Sequence, residues 1–146
     1  MLFNYHLVFG ALEGHRLNFD QVNRIFSKEF DLIQLTSTFY GPSESVNENY
    51  YYFNYGVTIQ SDIDWASLKL KIKLFEQRSQ FFNQLDIDIL VQEFSDTVYL
   101  ISPKVLQFTH SLKVLNDLSP NLLINNLSVN VLSSQKKNFD QFSLCL

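Results

Sequence analysis

Residues 85–90 read Leu-Asp-Ile-Asp-Ile-Leu, which sets two carboxylates two positions apart inside an apolar run. Side chains alternate across the faces of a strand, so Asp86 and Asp88 share one face and Ile87 and Ile89 the other. Like charges side by side repel, and burying them unpaired is costly. A divalent cation or a basic partner removes that cost. Paired hard oxygen ligands suit Mg2+, which takes one or two protein carboxylates and leaves its other positions to water and phosphate oxygens. The plainer alternative is a solvated edge strand carrying two surface acids.

The chain that positions this pair has 146 residues, enough for one domain with its own core. Hydrophobic residues make up 46%, so it should fold, and seven Tyr and fourteen Phe promise large aromatic contacts. The net charge is −4 and arginine occurs only as Arg16, Arg24 and Arg78. That balance argues against broad binding of nucleic acid or anionic membranes, but not against one nucleotide held through a metal. The single cysteine, Cys145, leaves no internal disulfide and no zinc cluster, and it lacks a neighbouring base. Residues 1–12 lack the basic start and long apolar run of a secretory signal. No apolar stretch approaches the roughly eighteen residues that span a bilayer. A soluble cytoplasmic protein is the expectation. There is no Gly-x-x-x-x-Gly-Lys-Ser/Thr stretch, so the chain is not a P-loop protein.

Residues 5–9 form a short apolar strand, and Gly10 and Gly14 bracket a loop. Asn18 caps a helix from Phe19 to about Lys28, with Val22, Ile25 and Phe26 on one face. Residues 32–40 read as a strand, 41–49 as a loop, and 50–59 as a long aromatic strand. Residues 62–77 satisfy two templates. Leu68 to Leu74 alternates as a strand does, yet Trp65, Leu68, Ile72 and Phe75 make a helical stripe. Leu and Lys favour helix, and Asp62 and Asp64 suit its start, so helix is the choice. Residues 85–91 and 97–101 make strands of a hairpin turning at 93–96. Pro103 opens a helical or irregular segment to Leu115, and Pro120 breaks it again. Residues 121–132 alternate loosely, as a last strand would. The order β-α-β-β-α-β predicts an α/β, ferredoxin-like fold: a mostly antiparallel sheet with helices packed on it. Residues 1–132 then form one domain and 133–146 a polar tail that frays.

Several segments, in order, resemble the hydroxymethyldihydropterin pyrophosphokinase (HPPK) family. These are the glycine turn of Phe9 to Arg16, Ser37-Thr38-Phe39-Tyr40, Tyr52-Phe53-Asn54 and Phe75-Glu76. They continue with Leu85 to Leu90, then Leu100-Ile101-Ser102-Pro103 and Val114 to Pro120. The resemblance implies transfer of a diphosphate from ATP, the co-substrate, to the hydroxymethyl group of a reduced pterin. It implies that Asp86 and Asp88 hold two Mg2+ ions, that Asn54 hydrogen-bonds the pterin with Tyr52 beside it, and that Arg78, Lys104, His110 and Glu76 serve the phosphates and the metal shell. Phosphoryl-type transfer needs positioning and charge neutralisation above all. The implied partners are small molecules, with no nucleic acid and no membrane, on a monomer or weak homodimer.

The departures from that family lie in its cations, its stacking rings and the Gly41-Pro42-Ser43 turn that replaces a Thr-Pro-Pro-like one. Its arginine-rich loop with a tryptophan is replaced by the link from Gln77 to Leu85, in which Arg78 is the one cation. Lys104 stands for a histidine, His110 for an arginine and Leu112 for a stacking Phe, while Phe81 or Phe82 offers a substitute ring. Each lost bidentate arginine removes a contact worth roughly 1.5–3 kcal/mol. An inactive relative that only binds a ligand or a partner is therefore a second expectation. A ligand-free interaction module, marked by an exposed edge strand or aromatic patch, is a third. The enzyme reading requires Asp86 and Asp88 at the floor of a cleft facing Asn54; finding them on an open surface, or salt-bridged to lysines, would sink it. His6 is expected to be structural, and Lys69, Lys71 and Lys73 a solvated helix face. Two further sites are open between function and packing: His15 with Arg16 at phosphate or in a solvated loop, and residues 50–53 around a ring pocket or in edge packing.

Overall fold

Alternation carries the central strand. In β1 (Phe3–Leu12), Tyr5, Leu7 and Phe9 enter one apolar cluster while Val8 enters another. The strand is therefore covered on both faces. The computed structural model describes residues 1–43 and 50–136 and the backbone of 143–145. Gly10 lies within β1 rather than in a loop, and the turn falls at Gly14, whose φ of 89° suits glycine.

The helix α1 (Phe19–Phe26) is capped by Asn18, which accepts from the Gln21 amide, and buries Val22 and Phe26. The expected strand over residues 32–40 is two strands, β2 (Asp31–Leu35) and β3 (Thr38–Pro42). Both pair with β4 (Tyr51–Ser61). They part at Thr36, whose hydroxyl accepts the Gly56 N–H at 2.8 Å while its own N–H donates to the Gly56 carbonyl. Residues 44–49 of the expected loop lie outside the described residues.

The two-template segment is helical. In α2 (Trp65–Glu76), Leu68, Ile72 and Phe75 are buried, and the strand-like partners Leu70 and Leu74 are exposed. Asp64 starts the helix by accepting the Ser67 N–H at 2.7 Å, a bond that lowers its carboxyl pKa. The hairpin of β5 (Asp86–Phe94) and β6 (Thr97–Ile101) turns on Ser95 and Asp96, both in the left-handed region, as a two-residue turn requires.

Two helices follow, α3 (Lys104–Gln107) and α4 (Thr109–Leu118). Residues 121–132 do not extend the main sheet as a strand. They form a small hairpin, β7 (Leu123–Ile124) with β8 (Leu127–Ser128), turned by Asn125 and Asn126 at positive φ. Then comes α5 (Val129–Ser134), capped by Ser128. The backbone of β9 (Ser143–Cys145) pairs with β3, so the end of the expected tail adds to the sheet.

The sheet order is β6-β5-β1-β4-β3-β9 with β2 also on β4, and every pairing is antiparallel. The core formed with α1 and α2 lies on one face, and the core formed with α4 and α5 on the other. The first matches the ferredoxin-like plan; the second is built by the additions after β6. Among the described residues no helix is long and apolar enough to cross a membrane. The β6 edge exposes Tyr99, Leu100 and Ile101, and the Tyr99 ring meets Phe3 and Phe94 edge-on.

Helix α4 is seated on β4 at Gly56. A Cβ there would stand 2.5 Å from Val114 Cγ1 and 2.9 Å from both Leu118 Cδ1 and Thr36 Cγ2. Gly56→Ala is expected to lower stability by about 1–3 kcal/mol, since a packed core resists added volume. A urea midpoint unchanged from the parent would show that α4 is free to lift.

Candidate functional site

The middle of the sheet sets the geometry of a cleft. Gly10 on β1 is paired on one side with Asn54 and on the other with Asp86. Val8, two residues earlier, is paired with Gly56 and Asp88. Directly opposed residues in antiparallel strands share a face. Asn54, Gly10 and Asp86 thus make one row, and Asp88 stands beside it. Strands repeat at about 4.8 Å, so Asn54 and Asp86 are roughly 10 Å apart across a position with no side chain. That gap belongs to a cavity of about 540 Å3. Its floor is Gly10, Asn54, Asp86 and Asp88, and its walls include Tyr52, Asn83, Lys104, Phe108 and His110.

The glycine is necessary to this floor, because a Cβ on Gly10 would come 2.8 Å from Asn54 Oδ1. Asn54 is itself buried. Its amide therefore presents one donor group and one acceptor along a fixed direction.

The two aspartates differ. Asp86 reaches solvent, yet the cleft walls crowd it. That partial burial, and then the charge of Asp88, hold its carboxyl above the usual range. Among the described residues Asp86 joins no ion pair. Asp88 does: Lys104 Nζ donates to Asp88 Oδ1 at 2.8 Å. Both acids stand in the cleft with Asn54, but one of the two carries the lysine bridge that weighs against an open metal site.

Glu76 is at the end of α2 and does not line the cleft. Its Oε1 accepts the Ile87 N–H at 2.6 Å, between the two aspartates in sequence, and its Oε2 accepts from Lys73 at 3.2 Å. Burial raises its pKa, and the nearby Asp86 adds to the rise. Its place is that of a brace holding β5 to α2. Arg78 is also away from the cleft, contrary to the expectation that it meets phosphate. Its guanidinium pairs with Glu29 and lies 4.8 Å over the Phe75 ring. Arg78 follows directly on α2, its N–H donating to the Phe75 carbonyl, and its side chain reaches Glu29 in the turn after α1.

Neither Phe81 nor Phe82 replaces a stacking ring at the cleft: Phe81 is in the core, and Phe82 is exposed away from the cavity wall. Leu112 belongs to α4 and is buried in the core under that helix's inner face. The ring at the wall is Phe108, whose backbone is extended between α3 and α4 and which stacks on His110 at 5.5 Å. Its signal in the sequence is weak: an aromatic two residues before His110, after the Pro103 break.

His15 stacks on Phe19 and accepts the Leu17 N–H, and partial burial lowers its pKa. Tyr51 stacks on Tyr40, and Phe53 packs against Tyr40 and His15, so of the aromatic run it is Tyr52 that meets the cleft. His6 is buried between Thr58 and Glu93, as its structural reading requires.

Among the described residues no group of three or more His, Cys, Asp or Glu is placed to hold a metal. A cation on Asp86 and Asp88 would fill the rest of its shell with water and phosphate oxygens. The donor set fits Mg2+ on those terms, since two hard oxygens suffice when a nucleotide supplies the others.

No protein-family model matches the chain, and no curated protein matches it. Solved structures do. Wild-type Plasmodium falciparum HPPK-DHPS with pterin and p-hydroxybenzoate superposes with a TM-score of 0.74 at 12% identity, covering 99% of this chain and 45% of that one. The wild-type protein with pteroate gives 0.71 at 13% identity, covering 92% and 42%. The chain therefore has an HPPK-like fold, and it spans less than half the length of those proteins.

Proposed function

We propose that the chain is an HPPK-type pyrophosphokinase, which moves a diphosphate from ATP to 6-hydroxymethyl-7,8-dihydropterin and releases AMP. The observation that carries this reading is the row Asn54–Gly10–Asp86 with Asp88 beside it, a hydrogen-bonding amide facing paired carboxylates across one cavity. Asn54 reads the edge of the pterin. Tyr52 and Phe108 supply aromatic walls for its ring. Lys104 and His110 attend the phosphate end. Asp86 and Asp88 hold Mg2+, whose contribution when bound is to neutralise phosphate charge. Glu76 acts at one remove, fixing the β5 backbone from which both aspartates project. Cytoplasmic small-molecule chemistry follows from the same reading.

A binding domain without turnover is the second reading. The Lys104–Asp88 bridge favours it, as does the turning of Arg78 to Glu29, which leaves no arginine among the cavity residues. AMP release from MgATP and the pterin decides between them. Turnover establishes the kinase; pterin or nucleotide binding without AMP from folded protein establishes the binding domain.

Gly10→Ala probes the pterin end. The new methyl must displace the Asn54 amide, so pterin affinity, followed by its fluorescence, is expected to fall about tenfold, the loss of one buried hydrogen bond. Unchanged affinity would remove Asn54 from the ring site.

A further inference from the structure

Lys104 bears directly on how many cations the cleft takes. Its Nζ is 2.8 Å from Asp88 Oδ1, while Asp86 joins no ion pair among the described residues. Lys73, whose charge also acts on both aspartates, is engaged by Glu76 at 3.2 Å, so that pair is close to neutral. The cleft floor then carries two carboxylates and one resident positive charge. A divalent ion bridging both carboxylates would stand within a few ångströms of that ammonium, where like charges repel strongly. An ammonium donates hydrogen bonds and neutralises charge as a cation does, though it accepts no ligand.

We propose that Lys104 is a built-in substitute for one metal ion, so that this cleft binds a single divalent cation, centred on Asp86, with the Lys104 ammonium in the second cation position beside Asp88. The proposal rests on the pyrophosphokinase reading and departs from the two-ion arrangement that the resemblance implies. It also accounts for a lysine where that resemblance expects a histidine. A phosphate chain entering the cleft would meet one metal and one ammonium.

The test counts bound Mn2+ by electron paramagnetic resonance, with the non-hydrolysable ATP analogue AMPCPP saturating. The wild-type chain is expected to hold one Mn2+ and Lys104→Gln two, with the first bound at least tenfold tighter in the variant. Lys104 is half exposed at its side chain, so the variant should keep the parent's melting temperature. Two Mn2+ on the wild type, or a variant identical to it, would overturn the inference and leave the pyrophosphokinase reading standing. No Mn2+ on either protein would remove both.

Discussion

AMP release should fall by on the order of a thousandfold when Asp86 and Asp88 are both replaced by alanine. On the pyrophosphokinase reading proposed above, the metal they would hold supplies several kcal/mol of charge stabilisation at the transferring phosphates. At about 1.4 kcal/mol per factor of ten, that is roughly three decades of rate. The fold should survive, and Asp86 should prove costly to keep. Its carboxyl is held above the usual range by burial and by Asp88, so its folded-state affinity for a proton exceeds that of the unfolded chain. Folding is then favoured below the usual carboxylate range, and that advantage is lost as pH rises through the raised pKa. At neutral pH Asp86→Asn should therefore melt no lower than the parent while losing activity. A variant that melts well below the parent would make Asp86 a structural residue. A double variant with undiminished turnover would remove the metal role from both.

What the residues disclosed in advance was local. Asn18 and Asp64 mark helix starts because a short polar side chain can satisfy a free backbone N–H. The Leu-Lys alternation of residues 68–74 misleads by period alone, and the Asp64 cap with the helical stripe resolves it. Asp86 and Asp88 share a face because a strand's period is two. Period says nothing of what lies opposite. That Gly10 separates Asp86 from Asn54 depends on the registers of two strand pairs.

The same limit explains the cations. Arg78 and Lys104 were both expected at phosphate. One pairs with Glu29, far off in sequence, and the other with Asp88, and only the packing of α1, α2 and α3 on the sheet decides which. The segment after Pro120 was illegible for another reason. Asn125 and Asn126 adopt the left-handed conformation and turn a loosely alternating stretch into a hairpin and a helix. The β9 pairing joins Ser143–Cys145 to β3, distant in sequence, and no local pattern announces it.

The largest effect on stability should come from the opposite end of the sheet. His6 Nε2 is 2.6 Å from Glu93 Oε1, and His6 Nδ1 is 2.8 Å from the Thr58 hydroxyl. All three residues are buried, and Glu93 Oε2 has no hydrogen-bond partner among the described residues. His6→Leu would leave the Glu93 carboxyl with neither oxygen paired. Orphaning one member of a buried pair costs about 3–5 kcal/mol, a large part of the roughly 5–15 kcal/mol that holds a domain together. Removing both members is another matter, because apolar residues of similar volume spare the cost of burying polar groups. His6→Leu with Glu93→Met should recover most of the loss, and Glu93→Gln alone, which keeps an acceptor for His6, should cost only about 1 kcal/mol. Urea denaturation of these proteins, with Glu93→Met added to complete the cycle, gives the coupling directly. A His6→Leu variant within about 1 kcal/mol of the parent would mean that Glu93 finds another partner, with β5 shifting at its register break opposite His6 to reach it.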